Sequence, residues 1–274
     1  MPVSFSVQEP LSRTTPVVVD VPHAGLRLDA QTLASLAAPA RSIGADADLF
    51  VDELYADAPA RGAALIVGHM SRYVCDLNRA EGEVDALAVR DGKARAAPHG
   101  LIWRSTTEGR PALFAPVSQL EYERRLDEYH RPYHAALAAL VEQRKARFGF
   151  AIVLCAHSMP SRGRDGHTDP GTDRADVVPG TRGRTTADPR VIDLVDELAQ
   201  SAGLRVVHDH PYRGGYTTGH FGRPHENVHA IQIELARRLY MDERTLERRR
   251  GDFERTQAFC ARLVEALTGL DLNI

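Results

Sequence analysis

Two apolar runs in this chain stop at a histidine. Val17-Val18-Val19-Asp20-Val21-Pro22 leads into His23, and Ala151-Ile152-Val153-Leu154-Cys155-Ala156 leads into His157. Short continuous runs of this kind predict buried strands, here about Pro16–Val21 and Ala151 onward to His157. A third run, Ala230-Ile231-Gln232-Ile233, ends on Glu234. Shorter stretches predict strands at Ala63–Val67, Tyr73–Cys75 and Leu204–His208. Helical spacing of apolar residues appears over Ala47–Arg61, where Leu49, Phe50, Leu54 and Tyr55 make one face. It returns over Ser118–Phe148, with Leu120, Leu126, Leu137 and Leu140 as the buried stripe and Pro132 breaking or kinking the helix. Pro189–Ser201 and Asp242–Leu267 complete the helices, the last with Phe253, Phe259 and Leu263 inward.

Three segments lack periodicity: Arg79–Ala115, Ser161–Thr186 apart from Val177-Val178, and the Gly-rich Gly214–His220. So long a loop as Ser161–Thr186 inside a compact fold is usually functional or mobile. Strands alternating with helices predict an α/β fold, and the absence of repeats or a linker predicts one domain over residues 1–274.

Composition narrows the class of function. The hydrophobic share of 43% and charged share of 26% are those of an ordinary soluble globular protein. A net charge of −3 gives no global pull toward nucleic acid or a membrane surface. No apolar run approaches the roughly 18 residues of a spanning helix. The first residues, Met1-Pro2-Val3-Ser4-Phe5, do not have the pattern of a secretory signal. Cys75, Cys155 and Cys260 form no Cys-x-x-Cys pair and sit in or beside apolar segments, which predicts a reduced, cytoplasmic protein.

The candidate chemistry lies at the strand ends. In an open α/β sheet the carboxyl ends of the strands line the ligand crevice, so His23 and His157 project into it. Two imidazoles delivered this way suggest a shared metal ion with one further protein ligand, and Asp48 and Asp52, four residues apart, are its candidates. Glu234, costly to bury alone, is the candidate general base toward a metal-activated water and then the proton donor to a departing amine; the plain alternative is an ion pair with Arg237 or Arg238.

Asn78-Arg79 suits a substrate carboxylate, since arginine grips carboxylates bidentately. Arg104, Arg184 and Arg223 are further candidates, and Gly215 and Tyr216 are candidate substrate contacts in a loop able to cradle an anion. For the developing oxyanion the candidate donors are Arg72, Arg79 and loop N–H groups. His130 and His134 have a metal-compatible i, i+4 spacing but lack the glutamate of HExxH. Ser158 has no nucleophile elbow, and Cys155 reads as core. Neither a P-loop nor a dinucleotide-binding pattern is present.

Taken together, these residues resemble the N-formylglutamate amidohydrolases. The resemblance runs through Val21-Pro22-His23-Ala24-Gly25, Asp48-x-x-Val51-Asp52-x-Leu54-Tyr55, Asp76-Leu77-Asn78-Arg79 and Pro132-Tyr133-His134. It continues in Cys155-Ala156-His157-Ser158-Met159-Pro160, Pro211-Tyr212-x-Gly214-Gly215-Tyr216, His229–Glu234 and Leu239-Tyr240-Met241. It implies a mixed, mostly parallel sheet flanked by helices on both faces, akin to the zinc carboxypeptidases. It implies a Zn2+-dependent hydrolase releasing formate from N-formyl-L-glutamate in histidine degradation. By motif position His23 and His157 would be zinc ligands, Asn78 and Arg79 would bind a carboxylate, and Glu234 would be catalytic.

The second ligand of the carboxypeptidases, from H-x-x-E, is replaced here by Leu26, so the third ligand must come from elsewhere, and Asp48 is preferred to Asp52. The expected partner is a small anionic substrate, with no nucleic acid or membrane, and a homo-oligomer is left open. Two other readings are a metallo-carboxypeptidase or amidase acting on another N-acyl amino acid or peptide, and an inactive protein that binds an acidic ligand.

Overall fold

The computed structural model describes residues 3–91 and 98–273. Its centre is a six-stranded sheet built from β1 (Phe5–Gln8), β2 (Val17–Val21), β3 (Ala64–Gly68), β4 (Ala151–Met159), β5 (Val177–Gly180) and β6 (Val228–Ala236). The strand order is β1-β3-β2-β4-β6-β5. The inner four strands are parallel, and β1 and β5 close the edges antiparallel. β2, β3, β4 and β6 are buried along their whole length, which explains why they read as continuous apolar runs rather than alternating ones.

Helices α1 (Ala30–Ser35), α2 (Ala40–Asp46) and α3 (Val51–Leu54) precede β3, and α4 (Gln119–Arg125) and α5 (Arg131–Phe148) precede β4. α6 (Pro189–Ser201) and α7 (Tyr216–Phe221) follow β5, and α8 (Asp252–Thr268) ends the chain. Alternate residues of the strands serve opposite faces. Ile152, Leu154, Ile231 and Ile233 pack with residues of α3, α6 and α8, including Phe259 and Leu263. Val18, Val153, Cys155 and Ala230 pack beneath Tyr133, Leu137, Leu140 and Val141 of α5. The mixed, mostly parallel sheet with helices on both faces is the fold that the resemblance implies.

Several local expectations are corrected. The helix foreseen over Ala47–Arg61 is only α3 plus a 3-10 turn at Pro59–Arg61, because Phe50 takes a left-handed φ of 67° just before α3. Asp48 therefore precedes the helix instead of sharing a face with Asp52. Tyr73–Cys75 forms no strand, and Leu204–His208 contributes only a bridge between Val206 and Val177. Conversely, Val177-Val178 begins the edge strand β5. The last helix starts at Asp252, after a small hairpin of β7 (Met241–Asp242) and β8 (Glu247–Arg248). β4 and β6 run two residues past His157 and Glu234. Leu120 is exposed, since the phase of α4 turns Tyr122 inward. The irregular stretch Arg79–Ala115 includes residues 92–97, which lie outside the described residues, as do Met1 and Pro2.

Pro132 does not split the long helical stretch. A π turn at Leu126–His130 joins α4 to α5, and Pro132 occupies the second position of α5, where its missing N–H leaves little unpaired. The next residue, Tyr133, donates its buried hydroxyl to Asp20 Oδ1 in the middle of β2. Burial pushes the Asp20 carboxyl above its ordinary range, so this hydrogen bond is central to keeping a polar group tolerable under the site. Tyr133→Phe is expected to cost about 1–3 kcal/mol in urea unfolding, the usual penalty for stripping a buried polar group of its partner. An unchanged denaturation midpoint would show that the pair is neutral.

Candidate metal centre and its cavity

Reversal of strand order defines where a ligand binds in an open sheet. From β2 the chain first adds β3 on one side and then crosses to add β4 on the other, so the switch point lies between β2 and β4. His23, two residues beyond β2, and His157, near the end of β4, stand on either side of it. Their rings lie 5.0 Å apart, centroid to centroid.

Asp48 completes the group. Its backbone N–H donates to the His23 carbonyl (2.9 Å), which anchors the loop between α2 and α3 against the end of β2. Its Oδ2 then lies 3.0 Å from His157 Nδ1 and 3.6 Å from His23 Nδ1. One donor atom from each of His23, Asp48 and His157 falls within 4.8 Å of the others, and all three residues are buried. Asp52 is not part of this group. Two imidazoles and a carboxylate suit zinc, and three protein ligands leave a catalytic zinc room for water.

The surroundings favour the same reading. Arg72 Nη2 lies 2.8 Å from His23 Nδ1; a guanidinium can only donate, so Nδ1 carries the lone pair. The Nε2–H of His23 then donates to Asp76 Oδ1 at 2.8 Å, the carboxylate–histidine pairing that orients metal ligands. Burial alone would raise the Asp48 carboxyl, but the hydrogen bond from His157 and the charge of Arg72 outweigh it and hold Asp48 ionised. Arg237 adds a contact to Asp48 Oδ1 (3.2 Å) and donates to the Ala45 carbonyl (2.6 Å).

Glu234 and His157 are register partners on β6 and β4, so they stand side by side on one face of the sheet. Burial pushes the Glu234 carboxyl upward, partly offset by His157. Its hydrogen-bond donor is Gln232 Nε2, at 2.9 Å. The anticipated alternative, an ion pair with Arg237 or Arg238, is not formed: those arginines pair with Asp48 and Asp176.

Asn78 uses its polar atoms fully. Its amide Nδ2 lies 3.2 Å from His157 Nε2 and 3.3 Å from Gln232 Oε1, and its Oδ1 accepts from the Thr217 N–H. The turn around it is clamped from α5 and the π turn: His134 Nε2 donates to the Leu77 carbonyl and His130 Nε2 to the Arg79 carbonyl, each at 2.8 Å. Burial lowers both imidazoles, that of His134 to about 3, which keeps them neutral in this role. That is what the i, i+4 pair does here; it is not a metal site.

Other expected contacts are placed elsewhere. Arg104 pairs with Asp85 (3.0 Å) outside the cavity, Arg184 with Asp193 and Arg223 with Glu226. Tyr216 packs behind Asn78 against His134 and His220 instead of lining the cavity. Gly215 does line it, and a Cβ there would fall 2.3 Å from Asn78 Nδ2. Ser158 is buried against Arg237, and burial raises the Cys155 thiol far above its ordinary value, so neither is a nucleophile. No site role is foreseen in the sequence for Asp76, Gln232, Arg237 or Arg164, although Asp76 heads the Asn78-Arg79 motif and Gln232 is a polar residue inside an apolar strand.

The cavity over this group measures about 250 Å³, at the small end for a ligand site. The structure is thus an α/β fold with a buried His-Asp-His group at its switch point that could hold a metal ion. The family description N-formylglutamate amidohydrolase matches residues 15–241, and the chain belongs to that family. It is 34% identical over 257 residues to an N-formylglutamate deformylase of Pseudomonas aeruginosa and 32% identical to one of Pseudomonas putida, covering 92% of both chains in each case. The crystal structure of an N-formylglutamate amidohydrolase from Ralstonia eutropha superposes with a TM-score of 0.88 at 31% identity, covering 97% of each chain.

Gly215→Ala is expected to push Asn78 aside and lower kcat/KM at least about tenfold with the fold intact, as small misplacements in a site do. Wild-type kcat/KM in a variant with native circular dichroism would show that the Asn78 position is not critical.

Proposed function

We propose that this protein hydrolyses N-formyl-L-glutamate to formate and L-glutamate, with zinc held by His23, Asp48 and His157. The observation that carries the reading is the placement of Glu234 beside His157 on adjacent strands, within a small cavity that also holds the His-Asp-His group. The names of the Pseudomonas relatives support the substrate, and the place in histidine degradation is what the family resemblance implies.

Zinc there would polarise the formyl oxygen and bring the pKa of water toward about 7. Glu234 takes the proton of the attacking water and returns it to the leaving amine. Its burial and single amide donor favour a carboxyl able to hold that proton. Arg72 and Arg79 line the cavity as donors to the developing oxyanion and the substrate carboxylate. Asn78 orients His157 and the loop bearing Gly215. The cavity size favours a small acyl amino acid over the extended chain of a peptidase substrate. Free, buried Cys75, Cys155 and Cys260 fit a cytoplasmic setting, and we read the chain as one domain. No described helix is long and apolar enough to cross a membrane.

Glu234→Gln should lower kcat for formate release by about a hundredfold or more while elemental analysis finds the metal content unchanged. Near-normal kcat would remove Glu234 from the proton-transfer role. Chelation should abolish turnover and added zinc restore it, and Asp48→Asn should reduce the metal bound per chain. Full activity after exhaustive chelation would end the metal reading.

A further inference from the structure

Five arginines and four acids line the cavity, and most of them neutralise one another. Arg164 pairs with Asp46 (3.0 Å), Arg237 with Asp48 (3.2 Å) and Arg72 with Asp76 (3.3 Å). Two guanidinium groups remain. Arg79 donates its Nε to the His99 carbonyl (2.8 Å) and has no carboxylate within 4.0 Å among the described residues. Arg213 is exposed at the cavity and, among the described residues, its side chain has neither a hydrogen-bond partner nor an ion-pair partner.

The backbone carrying Arg213 is nevertheless firmly held. The Arg213 carbonyl accepts from the Arg182 N–H (2.9 Å), and Gly215 N donates to Gln232 Oε1 (2.9 Å). A Cβ on Gly180 of β5 would lie 2.6 Å from Gly214 N, so strand and loop abut backbone to backbone. An unpaired cation on a fixed loop beside a small polar cavity is a pre-positioned anion contact.

We propose that Arg213 binds the distal carboxylate of the substrate and so selects an acidic over a neutral side chain. This rests on the hydrolase reading and specifies its substrate class. The formyl carbon must lie near Glu234 and the His-Asp-His group. The α-carboxylate, one carbon from the amide nitrogen, then falls near Arg79, whose neighbour Asn78 touches His157. The side-chain carboxylate extends two methylenes further and reaches the more exposed part of the cavity, where Arg213 waits.

The test compares formate release from N-formylglutamate and N-formylglutamine by wild type, Arg213→Gln and Arg213→Lys. Wild type should favour the glutamate compound, and Arg213→Gln should shrink the ratio of the two kcat/KM values at least about tenfold, mostly through the KM for N-formylglutamate, as expected for a lost charge-assisted contact. Arg213→Lys should restore part of that ratio. An unaltered ratio in Arg213→Gln overturns the proposal, whether both substrates slow together or neither does. If wild type releases no formate from either compound, the hydrolase reading fails by itself. Calorimetric affinities for the same two compounds then decide Arg213: a loss confined to N-formylglutamate supports it, and equal losses or none overturn it.

Discussion

Asp48 is the constraint on which the site depends. A carboxylate with 2% of its surface exposed must be compensated on every side, and its partners come from separate parts of the chain. His157 reaches it from β4, Arg237 from the turn after β6 and Arg72 from the segment after β3, while the His23 carbonyl holds its backbone N–H. Removing any one of these leaves a buried charge short of partners. The same contacts that make Asp48 tolerable draw three elements to the carboxyl edge of the sheet. Stability of this corner and assembly of the donor triangle are therefore one requirement, and a cation at the triangle would relieve part of the desolvation cost that the protein otherwise meets with Arg72 and Arg237.

Asn78 plays the corresponding part on the other side. It is a neutral residue, so it transmits geometry instead of charge. Its amide joins His157 to Gln232, and Gln232 in turn holds Glu234 and the N–H of Gly215. The chain of hydrogen bonds runs from a candidate metal ligand to the candidate base and on to the loop bearing Gly215. Such a network is worth having only if fully satisfied. The neutral imidazoles of His130 and His134 secure the carbonyls on either side of Asn78, and the π turn in front of α5 brings His130 to its carbonyl.

What could be read in advance followed from local chemistry. Fully buried parallel strands announce themselves as apolar runs, and a residue at the end of such a run has one place to go. His23, His157 and Glu234 were legible for that reason, and the fold class followed from the alternation around them. Asp48 was legible only as one of two, because the positive φ at Phe50, which removes it from the helix, leaves no apolar signature. Tyr73–Cys75 looked like a strand because it packs in a satellite core, not a sheet. Arg104 could not be told from Arg79 in the chain, since what separates them is a long-range pairing with Asp85. Gln232 was visible, but a buried amide has meaning only once Asn78, 154 positions away, is beside it.

The balance of charge in the cavity would let the proposed dianionic substrate approach so acidic a floor. Asp46, Asp48, Asp76 and Glu234 would repel an incoming carboxylate if they stood alone. Asp46, Asp48 and Asp76 each lie within 4.0 Å of a cavity arginine, and the environment of Glu234 raises its pKa, so the field at the mouth is governed by the cations left over. Those cations, Arg79 and Arg213, sit on a clamped turn and a braced loop. Holding them there without carboxylate partners costs little, because Arg213 is exposed and Arg79 is only partly buried and donates to the His99 carbonyl. The backbone ordering is met in folding rather than on binding, which would help a small, polar cavity discriminate between anionic and neutral ligands of the same shape.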